Sequence, residues 1–132
     1  MEITHFTKNL PITSRKLRLV ANTVKYKNAT EALGLLNLLP NKGAHLMFKS
    51  LSSAIAMAKD NGTAVENLTI QRIMCNDGRT LKRMMGHSRG RMAMIMKKAT
   101  HLSIVLSVAD KPGVAKTVQK TKPSITKTTE EN

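Results

Sequence analysis

LKRMMGHSRGRMAMIMKKATHLSIVLS, residues 81–107, is the stretch whose reading decides the fold. Residues 81–98 of it carry Lys82, Arg83, Arg89, Arg91, Lys97 and Lys98, interleaved with Met84, Met85, Met92, Met94 and Met96. The charge then stops and an apolar, β-rich run follows. No Asp or Glu occurs between Asp77 and Asp110. By propensity alone Met, Ala, Lys and Arg favour a helix. Two features favour a β-hairpin instead. Gly86 and Gly90 sit near the middle, where a turn gains from glycine and a helix loses. Met92, Met94 and Met96 recur at every second residue, which is the period of a strand. The expected hairpin has arms from Arg79 to Met85 and from Met92 to Lys98, roughly 20–25 Å long at ~3.3 Å per residue. A row of methionines is ordinarily core. Seven Lys and Arg between Arg79 and Lys98 make a conventional core implausible here, and methionine's flexible thioether suits an irregular partner surface.

Working outward, both arms continue into ordinary strands. Leu102, Ile104, Leu106 and Val108 alternate with Ser103, Val105 and Ser107, which reads as a strand with one buried face. Leu68 and Ile70 alternate in one phase, Ile73 and Cys75 in the other, and a bulge near Gln71–Arg72 explains the slip. Asp77–Gly78 reads as a turn. Upstream lie three helices. The first spans Ser14 to about Lys25, with Leu17, Val20, Ala21 and Val24 as its apolar stripe and Thr13 or Ser14 as its cap. Arg15, Lys16 and Arg18 lie mostly off that stripe in the first turn, where the helix dipole prefers anions, and an external phosphate would resolve the mismatch. The second starts near Asn28, whose spacing to Glu31 suits a capping box, and Pro40 stops it. The third runs from about Lys42 to Asp60, with Met47, Leu51, Ala54, Ile55 and Ala58 on one face and Asn61–Gly62 as its stop. The expected fold is α+β: three helices on a small antiparallel sheet with a long protruding β-hairpin. Residues 1–110 form the body with its hairpin, about 79–98. Residues 111–132 form a Lys/Thr-rich tail without Leu or aromatic residues, unable to build a core of its own.

The chain has 132 residues, 22 basic and 8 acidic, for a net charge of +14. That length gives one small domain. A field so positive bears on partners more than on fold. Phosphate polymers come first, anionic membranes second and acidic proteins third. Trp is absent, and one Tyr and two Phe are too few for a module that reads single strands by stacking several bases. The single cysteine, Cys75, excludes an internal disulfide and a multi-cysteine zinc site. The longest uncharged apolar stretch, Ala99 to Ala109, is far shorter than the roughly 20 residues a bilayer needs. MEITHF does not read as a signal peptide.

Catalysis finds little footing. His5, His45, His87 and His101 are scattered without metal spacing. Cys75 lies in a strand-like run without an obvious base and reads as a buried structural thiol. Gly86-His87-Ser88-Arg89-Gly90 is spaced wrongly for a nucleophile elbow. No catalytic, metal-binding or cofactor-binding residue is expected.

Five segments, SRKLRLVA (14–21), ATEALGLL (29–36), SAIAMAKDN (53–61), NLTIQRIMCNDGRTLKRMM (67–85) and RGRMAMIMKKATHLSIVLS (89–107), occur in an order and spacing that resemble the large-subunit ribosomal protein family twenty-two, bacterial type. The resemblance covers Thr13 to Val108. It implies a structural, non-enzymatic component of the large ribosomal subunit whose hairpin lines the peptide exit tunnel. By position it implies RNA contacts at Arg15, Lys16, Arg18, Arg79, Lys82, Arg83, Arg89, Arg91, Lys97 and Lys98. It implies a tunnel-lining tip formed by Gly86, His87, Ser88, Arg89, Gly90 and Arg91. The implied partners are large-subunit ribosomal RNA, neighbouring large-subunit proteins, and nascent peptide or macrolides near the tip, with no membrane. The implied location is cytoplasmic and ribosome-bound, with an organellar ribosome left open. The chain departs from the family pattern at Gly86 and His87, where Pro and Arg are usual, and at Met94, where the return arm usually has charged residues. Its tail, Lys111 to Asn132, runs past the usual end of bacterial members. The competing class is a free-standing basic regulator or chaperone of nucleic acid. Co-sedimentation with the large subunit after a high-salt wash separates the two.

Overall fold

The computed structural model describes residues 2–108. The tail expected over 111–132 lies outside these. Among the described residues the chain forms β1 (Glu2–Leu10), α1 (Ser14–Val24), α2 (Ala29–Leu38), α3 (Lys42–Asp60), β2 (Leu68–Gly86) and β3 (Met92–Val108). The strands make one antiparallel sheet in the order β1-β3-β2. The α+β architecture with a protruding hairpin is the one read from the sequence.

β3 is central because it can bury both faces. Leu102, Ile104 and Leu106 are fully buried under the helices, and Val105 and Ser103 on the opposite face are buried as well. The helices supply Leu17, Val24, Leu36, Met47 and Leu51 to the same core, each at most 1% exposed. Burial of such side chains, about 1.5–3 kcal/mol apiece, is the main source of the body's stability. The apolar stripes of α1 and α3 are buried as their periodicity predicts. α3 ends where expected. Gly62 takes φ +76°, Gly62 N–H donates to Lys59 C=O and Thr63 N–H to Ala58 C=O, the paired bonds of a Schellman stop.

Three local expectations fail. Thr13 is the N-cap of α1 but makes no side-chain cap bond, and the hydroxyl of Ser14 turns to Asp77 instead. Asn28 does not cap α2 through its side chain. Its expected capping-box partner, Glu31, pairs with Lys27 one turn back at 2.8 Å, so a charged partner displaces the weaker cap contact. Asp77–Gly78 is not a turn. It lies inside β2, where the register slips between Asp77 and Thr80, giving a second bulge beside the one found between Ile70 and Arg72. A bulge uses the same turn-forming residues without reversing the chain.

β1 was not foreseen. Its inward positions are Ile3, His5, Thr7 and Leu10, so two polar residues interrupt the apolar alternation that marks a strand. α3 meets these polar groups in kind. Thr7 Oγ1 donates to Ser50 Oγ at 3.1 Å, and His5 Nδ1 lies 3.3 Å from Met57 Sδ. The link from β1 into α1 is pinned to the sheet by Thr100, whose buried hydroxyl donates to Ile12 C=O at 2.6 Å.

Candidate nucleic-acid interface

The arm begins past the second bulge. Thr80 pairs with Lys98, and pairing continues through Gly86 and Met92. Because paired residues share a face, the register sorts the side chains. Lys82, Met84, Met92, Met94, Met96 and Lys98 lie on one face. Leu81, Arg83, Met85, Ala93, Ile95 and Lys97 lie on the other. β3 carries no bulge of its own against β2, so its methionine face continues the face that bears Leu102, Ile104 and Leu106 in the body. In the body the helices cover it. Along the arm no described element does. From Arg79 to Lys98 every residue except Ala93 is exposed, Met84 and Met92 by about three quarters.

The tip is a short 3-10 turn, Ser88–Gly90. His87 N–H donates to Arg91 C=O at 2.7 Å and closes the loop. Gly90 has φ +68°, as its expected role requires, but the other left-handed residue is Arg89 at φ 61° rather than Gly86. Gly86 is the last residue of β2 and keeps an extended backbone. The strained Arg89 carries its side chain at the extremity of the arm.

The sequence-predicted cations divide into two groups. Arg79, Lys82, Arg83, Arg89, Arg91, Lys97 and Lys98 run along the arm, all exposed. Arg83 Nη1 donates to the neighbouring Lys82 C=O at 2.9 Å. Among the described residues the one ion pair is Lys27–Glu31, so no arm cation is matched by a carboxylate. Arg15, Lys16 and Arg18 are exposed on α1, whose first turn contains no acidic residue. Arg18 has a second task that the sequence did not disclose. Its Nε and Nη2 donate to Cys75 C=O at 3.2 and 2.9 Å. One turn earlier Ser14 Oγ donates to Asp77 Oδ1 at 2.5 Å. These two contacts fasten α1 to β2 just before the second bulge, so the helical cations sit beside the root of the arm. Burial pushes the Cys75 thiol above its ordinary value, with the Arg18 guanidinium opposing, and the thiol is buried as expected.

Two further exposed or half-exposed cations, Lys25 and Arg72, border a groove at the end of α1. The bulge at Gln71–Arg72 was legible in the sequence, but the exposure of Arg72 beside α1 was not. Nor was the packing of the α1–α2 link against this bulge. Among the described residues no group of His, Cys, Asp and Glu could hold a metal ion. No helix there is long and apolar enough to cross a membrane.

The arrangement can grip a polyanion along a ribbon and from the side of a helix, with apolar methionines between the charges. Comparison with known proteins agrees in kind. The family model described as ribosomal protein L22p/L17e matches residues 5–107. The large ribosomal subunit protein uL22 of Petrotoga mobilis is 42% identical over 106 residues, covering 80% of this chain and 70% of the relative. The protein of the same name from Mycoplasmopsis pulmonis is 36% identical over 108 residues, covering 81% of this chain and 98% of the relative. That of Metamycoplasma arthritidis is 43% identical over 104 residues, covering 78% of this chain but 50% of the relative, a protein of greater length. A match that starts within β1 and ends within β3 takes in every element of the described fold, arm included, and on that ground the chain belongs to the ribosomal protein L22p/L17e family.

Proposed function

We propose that the chain is a structural component of the large ribosomal subunit, bound there to ribosomal RNA and to neighbouring subunit proteins, with no catalytic role. The observation that carries the reading is the arm. It is a two-stranded ribbon, marginal by itself in water, with cations on both faces and at its tip that no carboxylate among the described residues matches. Such a ribbon becomes ordered between phosphate backbones, where each cation that meets a phosphate releases condensed counterions. Lys82 and Lys98 then serve one RNA surface, and Arg83 and Lys97 the opposite one. Arg79 acts at the root, where the bulge turns it outward. Arg15 and Lys16 supply the helical contact that the dipole of α1 leaves open, and Arg18 combines that contact with its bond to β2. The residues from Gly86 to Arg91 face the peptide exit tunnel, within reach of nascent peptide and of macrolides that bind there.

Salt dependence tests this. Each neutralised phosphate adds about 0.7–0.9 to the slope of log affinity against log salt. Replacing Arg83, Arg89 and Arg91 together by Ala lowers the slope for large-subunit RNA by roughly two to three. An unchanged slope removes those three side chains from the RNA contact.

A further inference from the structure

Tyr26 stands in a backbone conformation that favours glycine. Its φ is 64°, the left-handed region, although it carries a bulky aromatic side chain. The surrounding backbone imposes this. Tyr26 N–H donates to Ile70 C=O at 3.0 Å, Ile70 N–H donates to Lys27 C=O at 3.0 Å, and Lys27 N–H reaches Val24 C=O. The link from α1 to α2 is thereby tied to β2 beside its first bulge. Among the described residues the core does not repay the aromatic ring at this strained position, since Tyr26 is 73% exposed and outside the core. Strain held at an exposed aromatic points outward, to a ligand.

The surroundings say which ligand. The Lys25 ammonium lies 4.6 Å from the centroid of the Tyr26 ring. A shallow groove of about 440 Å³ opens beside it, lined by Glu2, Lys25, Tyr26, Gln71, Arg72 and Val105. Gln71 and Arg72 reach it because the bulge exposes both. Two cations against one carboxylate, an amide able to donate and accept, and an exposed π surface are the parts of a nucleotide site.

We propose that Tyr26 is a stacking platform for one unpaired base of RNA, with Arg72 on a phosphate that flanks it and Gln71 at the base edge. This rests on the RNA-binding reading above and adds to it a contact on the body, separate from the arm. With Lys25 on one face of the ring, the base occupies the other, and the cation strengthens the stack. Because the ring itself carries no charge, it adds affinity without adding to the salt slope.

The test uses the full chain and large-subunit RNA, with affinity measured over a salt series for the parent, Tyr26→Phe and Tyr26→Gly. Glycine accepts φ +64° without strain, so Tyr26→Gly keeps or raises the melting temperature while deleting the ring. The expected result is affinity weaker by on the order of tenfold at every salt concentration, with the slope unchanged. Tyr26→Phe keeps the π face and stays near the parent. Parent-like affinity of Tyr26→Gly overturns the stacking site alone. So does a fall in its melting temperature, which would make the ring part of the fold. Parent-like RNA affinity together with poor retention in assembled subunits overturns it in favour of a protein neighbour. A parent chain with no salt-dependent RNA binding overturns the wider reading first, and this one with it.

Discussion

Two glycines of β2 look alike in sequence and differ in what surrounds them. A Cβ on Gly78 would lie 3.2 Å from both the carbonyl carbon and the oxygen of Ala99, and 3.3 Å from His101 Nε2. The first two are backbone atoms of the central strand and cannot turn aside. A Cβ on Gly86 would meet nothing within 4 Å. Gly78→Ala is therefore expected to destabilise the protein by about 1–3 kcal/mol, the usual cost of overpacking. Gly86→Ala should stay within about 0.5 kcal/mol of the parent. Urea denaturation of the two variants checks this, and equal midpoints would show that the second bulge relaxes freely. At this scale the exposed cations of the arm were legible from charge alone. A side chain's role was not legible where it depends on a distant backbone atom. Arg18 reads as one more cation of α1 until Cys75 C=O is seen against it. Tyr26 reads as an ordinary aromatic until its φ is known.

Among the elements, α1, α3 and the hairpin were legible because a period ran uninterrupted: 3.6 in Leu17, Val20, Ala21 and Val24, and two in Met92, Met94 and Met96. β1 was hidden because the two middle inward positions, His5 and Thr7, are polar, and the hydroxyl and thioether that meet them come from α3, some forty to fifty residues away. A single-sequence pattern cannot register a partner that remote. The arm is an element with a strand's pairing and no second layer. In the free protein its hydrogen bonds are expected to open on the scale of local fluctuations, whereas those of the core open with global unfolding. Amide exchange should find protection over 46–58 and 102–108 and little over 82–96. Equal protection in both places would mean that the ribbon is rigid before it meets any partner.

For the whole molecule, the division between body and tip sets the last expectation. Of the ten cations expected to meet RNA, eight lie on α1 and along the arm, and two, Arg89 and Arg91, at the extremity. Deleting residues 87–90 should leave subunit assembly nearly intact while altering macrolide response or nascent-chain pausing. Ribosomes carrying the deletion decide it. Failed assembly would make the tip an anchor, and parent-like behaviour in every assay would leave it without a role in the tunnel.

The sheet order has a consequence for the timing of synthesis. Glu2 pairs with Ser107 and Ile3 with Leu106, so β1 can enter the sheet only when β3 arrives. β2 waits for the same strand. Until then the growing chain can form helices but cannot close its core, because pairings between chain ends are the slowest to form. A nascent molecule of this protein is for most of its synthesis an unfinished, strongly cationic polymer surrounded by RNA. Its sheet is therefore expected to close only once residue 107 has left the ribosome that made it.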